Sequence, residues 1–193
     1  VDVQERHARY YCAYVRRQAV VFGRSSHESG GMAQEIAGAR SELDNVRQAW
    51  QWALQGHDFD ALKETIPALV RFYNHSGQYR QGIGLIDDVL RQLPAAEKDK
   101  RPYFLIEKSY LLARAYEGRL AQQEPIIEEL LATVPHLTFI RARALAYYSE
   151  GLFIDSIDSE RSRSYAEEAM ILAQQLGDTA LIARLHLQLG SLH

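Results

Sequence analysis

The sequence has few of the residues that stabilise secreted, sheet-rich or membrane proteins. Its single cysteine, Cys12, cannot form an intramolecular disulfide, and a lone thiol suits a reducing compartment. Twelve glycines and five prolines among 193 residues are fewer turn-forming residues than a sheet-rich domain usually needs. No apolar run approaches the roughly 20 residues that a membrane span requires. We therefore expect a cytoplasmic domain that does not contact the membrane.

A strong excess of charge of either sign is also missing. The formal net charge is −3, so no global basic field attracts nucleic acid or an acidic membrane surface. A local basic face occurs within residues 6–24 and consists of Arg6, Arg9, Arg16, Arg17 and Arg24. Solvation, or docking against a neighbouring domain, explains this face better than contact with DNA. We expect no direct nucleic-acid binding.

Residue patterns typical of catalysis, phosphate binding and metal binding are absent from the sequence. The seven histidines show no metal-ligand spacing, and no Gly-x-x-x-x-Gly-Lys-Ser/Thr motif occurs. Residues 155–160 resemble the start of a calcium loop, but the central glycine is missing and the twelfth position, where the loop needs a glutamate, is Ala166. The adjacent acid pairs diverge by about 100° on a helix; they are Asp87-Asp88, Glu128-Glu129 and Glu167-Glu168. We expect no enzymatic activity, no cofactor and no metal.

Apolar residues instead recur at spacings of three and four, which is the period of amphipathic helices. Asp58 and Asp178 are predicted N-caps, Asp158 or Ser159 a third, and Gly56 and Gly177 are predicted left-handed helix ends. Pro94–Pro102 is predicted to be a charged, solvated loop. The aromatic residues Tyr10, Tyr11, Tyr14, Trp50 and Trp52 are expected in the core, with the hydroxyls reaching the surface. Nine helices are predicted, at about residues 3–24, 31–56, 58–75, 79–93, 102–118, 120–134, 137–155, 159–176 and 178–193.

One window within residues 66–94 resembles a tetratricopeptide repeat. Leu69 and Val70 stand where the two helices touch, Gly77 and Tyr79 at the turn, and Gly82 at the helix crossing. Looser copies follow at intervals of about 40 residues, longer than the basic repeat of about 34. The resemblance implies an all-α, right-handed superhelix of antiparallel helix pairs, because one pair cannot bury its apolar face alone. The alternative is a helical bundle without repeats.

The predicted organisation is a single tetratricopeptide-like domain over residues 1–193. Residues 1–57 form an irregular first helix pair in this interpretation, and residues 58–193 form the repeats. The chain begins without a methionine and ends inside a helical pattern. We therefore expect it to be an excerpt of a longer protein.

The N-terminal third carries a second resemblance. The run Arg6-His7-Ala-Arg-Tyr10-Tyr11 precedes Glu42-Leu-Asp44-Asn45-Val46-Arg47-Gln-Ala49-Trp50-Gln-Trp52-Ala53-Leu54. This order resembles the start of the sensor domain in bacterial signal-transduction ATPases with numerous domains, among them LuxR-like and antibiotic-regulatory-protein-like transcriptional activators. The resemblance implies a non-catalytic sensor that binds an inducer or a partner protein beside a nucleotide-binding domain. The alternatives are a tetratricopeptide scaffold that only assembles proteins and, less favoured, an all-α enzyme.

Binding in such a superhelix would use the concave groove lined by the first helix of each pair. The occupant would be a peptide, a protein partner or a small polar inducer. Arginine and tyrosine suit this purpose because they anchor carboxylates and rings. The repeat register predicts as groove residues Arg71, Asn74, Tyr110, Arg114, Glu117, Tyr148 and Asp155, with Glu64, Glu107 and Arg184 one turn earlier. A hydrated groove whose charges only pair with one another is the alternative.

Overall fold

The structure, a computed structural model, consists of helices joined by short turns over the residues that it describes. These are Val3, Arg6, Tyr10, Ala13 and residues 43–115, 119–154 and 158–191, and none of them lies in a strand. The all-α prediction is confirmed. The helices are α1 (Leu43–Gln55), α2 (Phe59–His75), α3 (Tyr79–Gln92), a 3₁₀ helix (Ala95–Lys100), α4 (Arg101–Leu112), α5 (Arg119–Thr133), α6 (Phe139–Ile154), α7 (Ser159–Leu176) and α8 (Thr179–Ser191).

Some sequence predictions concern parts of the chain outside the described residues. They include Cys12, most of the basic face within residues 6–24, and the groove residues Glu117 and Asp155. Of the first predicted helix, Val3, Arg6, Tyr10 and Ala13 are described, and they are helical.

Aspartate caps begin three of the helices as predicted. Asp58 Oδ1 accepts a hydrogen bond from the Ala61 amide at 3.0 Å, and Asp158 Oδ1 accepts one from the Arg161 amide at 2.9 Å. Asp178 does the same for α8 through a 3.1 Å bond from the Leu181 amide. Each cap satisfies an amide that would otherwise have no partner in the first turn.

The helix end at Gly177 is also confirmed, whereas the prediction for Gly56 is wrong. Gly177 has a φ of 69°, in the left-handed region, but after α1 the left-handed residue is His57, with a φ of 55°. The Gly56 amide still makes a regular helical bond to the Trp52 carbonyl, so the left-handed residue comes one position later than predicted. The Asp58 amide then bonds back to the Ala53 carbonyl, which completes the usual C-terminal motif.

The predicted loop Pro94–Pro102 is a further correction. Residues Ala95–Lys100 form a 3₁₀ helix, and α4 begins directly after it at Arg101. Lys100 stabilises this path, because its Nζ lies 3.2 Å from the Asp60 carboxylate on α2 and pairs with Glu97. Pro102 fits in the first turn of α4, where a missing amide hydrogen costs no helical bond.

The described residues belong to two compact units, Val1–Phe104 and Leu105–His193. In the first unit α1 packs on α2 and α2 packs on α3. Leu69 and Val70, which the repeat pattern assigned to the helix contact, are buried. Tyr73 and Ile86 are buried as well. Trp50 is buried as predicted, whereas Tyr10 is 57% exposed, contrary to its predicted place in the core.

In the second unit α5 packs on α6, α6 on α7, and α7 on α8. Small residues allow these helices to approach closely, and Ala142, Ala146, Ala166, Ala169 and Ala173 are buried in its core. Leucines and Met170 fill the remaining space. Helix α6 is therefore covered by neighbours on most sides, and this position brings its polar residues into contact with several helices.

Candidate functional site

A group of charged and aromatic side chains from three segments of the second unit meets at one place. We define the arginine–tyrosine cluster as Tyr110, Arg114, Tyr147, Glu150 and Arg184. Tyr110 lies on α4 and Arg114 in the turn that follows, Tyr147 and Glu150 lie on α6, and Arg184 lies on α8. Spacings of three and four place the paired residues of one segment on the same face.

The two arginines of the cluster share one carboxylate. Arg184 Nη2 pairs with Glu150 Oε2, and Arg114 Nη2 lies 3.6 Å from Glu150 Oε1. The three side chains are 30%, 20% and 24% exposed for Arg184, Arg114 and Glu150 respectively. They are therefore partly shielded from water, and charge pairs in such surroundings interact more strongly than on an open surface. A solute can still reach them.

The arginines also lie against tyrosine rings. The Arg114 guanidinium carbon is 3.7 Å from the centroid of the Tyr110 ring, and that of Arg184 is 4.9 Å from the Tyr147 ring. The two rings meet edge to face, with centroids 5.0 Å apart. Such cation–π contacts favour arginine in this setting because its planar group stacks while its edge still donates hydrogen bonds.

The environment of Tyr147 disfavours ionisation of its hydroxyl. Burial, and then the negative charge of Glu107, raise the pKa of Tyr147 to about 12 against the opposing effect of Arg184 and Arg143. Glu107 is itself buried. Tyr147 is therefore a neutral aromatic wall of the cluster at any physiological pH.

Buried hydrogen bonds hold α6 in place behind the cluster. Gln123 Nε2 donates to the Ser109 hydroxyl at 2.9 Å and to the Tyr147 carbonyl at 3.2 Å, and so links α5 with α4 and α6. Gly151 permits this approach, because a Cβ there would lie only 2.7 Å from Gln123 Oε1. A side chain at position 151 would therefore displace Gln123 from these hydrogen bonds.

A serine pair fixes the other side of α6. The Ser149 hydroxyl donates to the Ser162 carbonyl at 2.6 Å, and the Ser162 hydroxyl donates to the Ser149 carbonyl at 2.9 Å. Gln188 on α8 donates to the Ser149 hydroxyl at 2.6 Å. With both sides of the helix bonded, the backbone that carries Tyr147 and Glu150 is held in a defined position.

The sequence-predicted groove residues do not all gather at one place. Tyr110 and Arg114 contact each other. Arg184, predicted to line the same groove one helical turn earlier, also lies near the Tyr110 ring. Arg71 is exposed on α2, and Asn74 is partly buried on the same helix in the first unit. Glu117 and Asp155 are among the residues outside the described part of the chain.

Tyr148 lies in a different group from Tyr110. It is only 3% exposed, and its hydroxyl donates to the Glu124 carboxylate at 2.8 Å. The Arg161 guanidinium carbon is 6.0 Å from its ring, and the Tyr165 ring centroid is 5.3 Å away. It is Tyr147, one position earlier, that lies against Tyr110.

Sequence reasoning missed Tyr147 and Glu150 as parts of this cluster. Glu150 had a detectable signal, because it is the one acidic residue in the sixteen residues of α6. An isolated acid in an apolar helix usually has a charged partner. Tyr147 had no such signal, because it is adjacent to a second tyrosine in a run of buried residues.

Other site types were sought among the residues that the structure describes. No group of three histidine, cysteine, aspartate or glutamate residues there is arranged to hold a metal ion. None of the helices searched is long and apolar enough to cross a bilayer. Comparison of the chain with protein-family models, with curated proteins and with solved structures finds no match.

Proposed function

We propose that this chain is a non-catalytic binding module, the sensor domain of a multidomain bacterial transcriptional regulator in the cytoplasm. Its helix pairs would stack as a tetratricopeptide-like superhelix, next to a nucleotide-binding domain elsewhere in the regulator. Three turns support this repeat arrangement, because each consists of a left-handed residue followed by the N-cap residue of the next helix. The pairs are His57-Asp58, Gly77-Gln78 and Gly177-Asp178.

The observation that carries the binding role is the pair of arginines that converge on Glu150. Arg114 comes from the turn after α4 and Arg184 from α8, so separate segments place two cations at one point. Side chains that are a fifth to a third exposed can meet a ligand while remaining ordered by their neighbours. Arginine and tyrosine together are the residues most enriched at binding hot spots.

A protein-assembly scaffold is the second candidate, and exposed apolar side chains favour it. Leu187 on α8 is 77% exposed, and Leu137 and Phe139 near the start of α6 are about half exposed. Apolar residues at the surface are a common feature of protein interfaces. This function would require a folded partner or a peptide and would show no response to small molecules.

Thermal unfolding of the protein in the presence of metabolite and peptide libraries tests the proposal. A compound that binds only the folded state raises the unfolding midpoint by mass action when its concentration exceeds its dissociation constant. We expect at least one hit that Arg114→Ala and Arg184→Ala each abolish. Arg91→Ala, which removes an exposed arginine of the first unit, is the matched control and should keep the hit.

The outcomes separate the candidate functions. A small-molecule hit that depends on both arginines supports the sensor. A response only to peptides or folded proteins, retained in the Arg184→Ala variant but lost in Leu187→Ser, supports the scaffold. Hits that are indifferent to all of these substitutions would contradict both assignments of the binding surface.

A further inference from the structure

Glu150 lies between the two arginines of the cluster but does not contact them equally. Glu150 makes a direct ion pair with Arg184, but its distance to Arg114 is 3.6 Å. That separation exceeds a direct hydrogen bond, so Arg114 is attracted to the carboxylate without being hydrogen-bonded to it. The site is thus arranged for a carboxylate, and the internal carboxylate does not engage both arginines equally.

The charges around the cluster determine which external ligand could replace Glu150. Arg143 lies near Tyr147 but is paired with Asp178 at 3.8 Å, so this pair adds no net charge. The negative charge of buried Glu107 acts on Tyr147 and so belongs to the same local charge total. In that total, Glu107 and Glu150 together balance Arg114 and Arg184.

If the Glu150 side chain rotated to solvent, the cluster would carry one uncompensated positive charge. A singly charged carboxylate would restore neutrality, whereas a doubly charged phosphate would leave an excess negative charge in a partly buried place. Like charge brought together in such a setting is costly.

Exchange of one carboxylate for another is energetically feasible here. The desolvation of both partners offsets much of the attraction in a partly buried ion pair, so the Glu150 contacts add little net free energy. The backbone of α6 would not have to move, because the Gln123 and Ser149 hydrogen bonds hold it. Only the long Glu150 side chain, already 24% exposed, would have to rotate.

We propose that Glu150 is an internal occupant of the binding site, and that the ligand is a small singly charged carboxylate that displaces it from Arg114 and Arg184. This inference rests on the proposed binding function and adds to it the class of ligand and a competing group within the chain. Glu150 would set the ligand concentration at which the site fills, because every bound ligand must first compete with it.

Titration with benzoate, with neutral benzamide as its matched probe, tests the inference. The NMR signals of the arginine Nε–H groups report occupancy directly. We expect the Glu150→Gln variant to bind benzoate about tenfold more tightly than the unchanged protein. Benzamide should not bind either protein, and Glu150→Gln/Arg184→Ala should lose benzoate binding.

Glu124→Gln is the control variant, because Glu124 also contacts an arginine and a tyrosine but lies in the Tyr148 group. It should leave benzoate affinity unchanged. Circular dichroism establishes that each variant is folded. Glu150→Ala is a second variant that removes the carboxylate, in case Glu150→Gln does not fold. Equal benzoate affinity in the unchanged and the Glu150-substituted proteins would overturn the inference.

Further arms identify the source of the carboxylate and separate this inference from the proposed function. A short peptide with a free C-terminus, compared with its C-terminal amide, distinguishes a peptide carboxylate from a small molecule. Tighter binding of the peptide than of benzoate would overturn the assignment of a small ligand.

Tighter binding of inorganic phosphate than of benzoate would overturn the assignment of a singly charged ligand. If libraries yield arginine-dependent hits that are not carboxylates, the binding function stands and this inference fails. If no hit depends on either arginine, the binding function itself fails.

Discussion

The two units of the chain use buried polar groups very differently. In the described part of the first unit, Thr65 is the buried polar residue, and its hydroxyl bonds to the Ala61 carbonyl of its own helix. The second unit buries Glu107, Ser109, Gln123, Ser149 and Ser162, and several of these join different helices. Polar groups in a core cost free energy unless they are hydrogen-bonded, so such a network needs accurate placement.

The contrast fits the binding role that we propose for the second unit. The first unit buries large apolar side chains such as Trp50 and Leu62, which require only dense packing. Tyr73 is also buried there, and its hydroxyl accepts a hydrogen bond from Arg47 Nε of α1 at 3.1 Å. The second unit uses part of its interior to define where α6 lies, and α6 carries the residues that meet Arg114 and Arg184. A binding site benefits from such positioning because less entropy is lost when the ligand binds.

The largest expected effect would break the apolar half of this comparison. Trp50→Ala should lower the free energy of unfolding by about 3–5 kcal/mol, because it removes a fully buried ring and leaves a cavity. Trp50→Phe should cost much less, since the Trp50 Nε1–H has no hydrogen-bond partner among the described residues that would be left behind. Urea denaturation followed by circular dichroism measures both. Similar losses for the two variants would show that the indole nitrogen matters and that the first unit is not purely apolar in its energetics.

The second prediction tests the polar half. Gln123→Met keeps the side-chain volume but removes the bonds to Ser109 and to the Tyr147 carbonyl, and should cost roughly 1–3 kcal/mol. Thr65→Val should cost less than about 1 kcal/mol, because its hydroxyl only supplements a bond within one helix. Hydrogen exchange resolved by peptide should show the loss for Gln123→Met in α4–α6. A larger effect for Thr65→Val than for Gln123→Met would reverse the comparison.

Several features of the fold could be predicted from the sequence because they depend on local chemistry. Asp58 and Asp178 begin helices because a short acidic side chain reaches the amides of the first turn. The 3₁₀ helix over Ala95–Lys100 was not predicted, and one of its contacts, that of Lys100 with Asp60, involves a residue 40 positions earlier in the chain. His57 could not be predicted as a left-handed residue while the preceding glycine offered the cheaper choice.

The cluster itself was predictable only in part. Tyr110 and Arg114 are four residues apart, so their contact follows from helical spacing. On α6, however, residues 144–149 are all buried. A helical segment covered on every side has no apolar stripe from which the direction of each side chain could be predicted. A shift of one residue rotates a side chain by about 100°, which explains why Tyr148 was predicted where Tyr147 lies. The register was decided by tertiary contacts such as that between Gln123 and the Tyr147 carbonyl.

The third prediction concerns alkaline pH in the second unit. Burial, and then the hydrogen bond to Glu124, raise the pKa of Tyr148 to about 12, whereas a tyrosine in an unfolded chain titrates near 10. Below about pH 10 the hydroxyl is protonated in both states, and its stabilising effect is complete. Between about pH 10 and 12 the unfolded chain loses the proton first, so this stabilisation declines.

Tyr148→Phe should therefore lower the free energy of unfolding by roughly 1 kcal/mol at pH 8, and this difference should shrink towards pH 11. Urea denaturation at pH 8, 10 and 11 measures it. Tyr73 and Tyr147, whose pKa values are also raised by burial, remain in both proteins and cancel in the comparison. A difference that stays constant with pH would show that Tyr148 contributes only through packing.

The smallest expected effect concerns the surface of the first unit. Arg91 pairs with Asp88 one turn earlier on α3, but its side chain is 73% exposed. Solvent screens such a pair, and holding two long side chains together costs entropy, so Arg91→Ala should change the free energy of unfolding by less than about 0.5 kcal/mol. Urea denaturation followed by the fluorescence of Trp50 and Trp52, both in α1, reports on this unit. A loss above about 1 kcal/mol would mean that charge pairs stabilise the first unit as well, and that polar interactions alone do not distinguish the two halves of the chain.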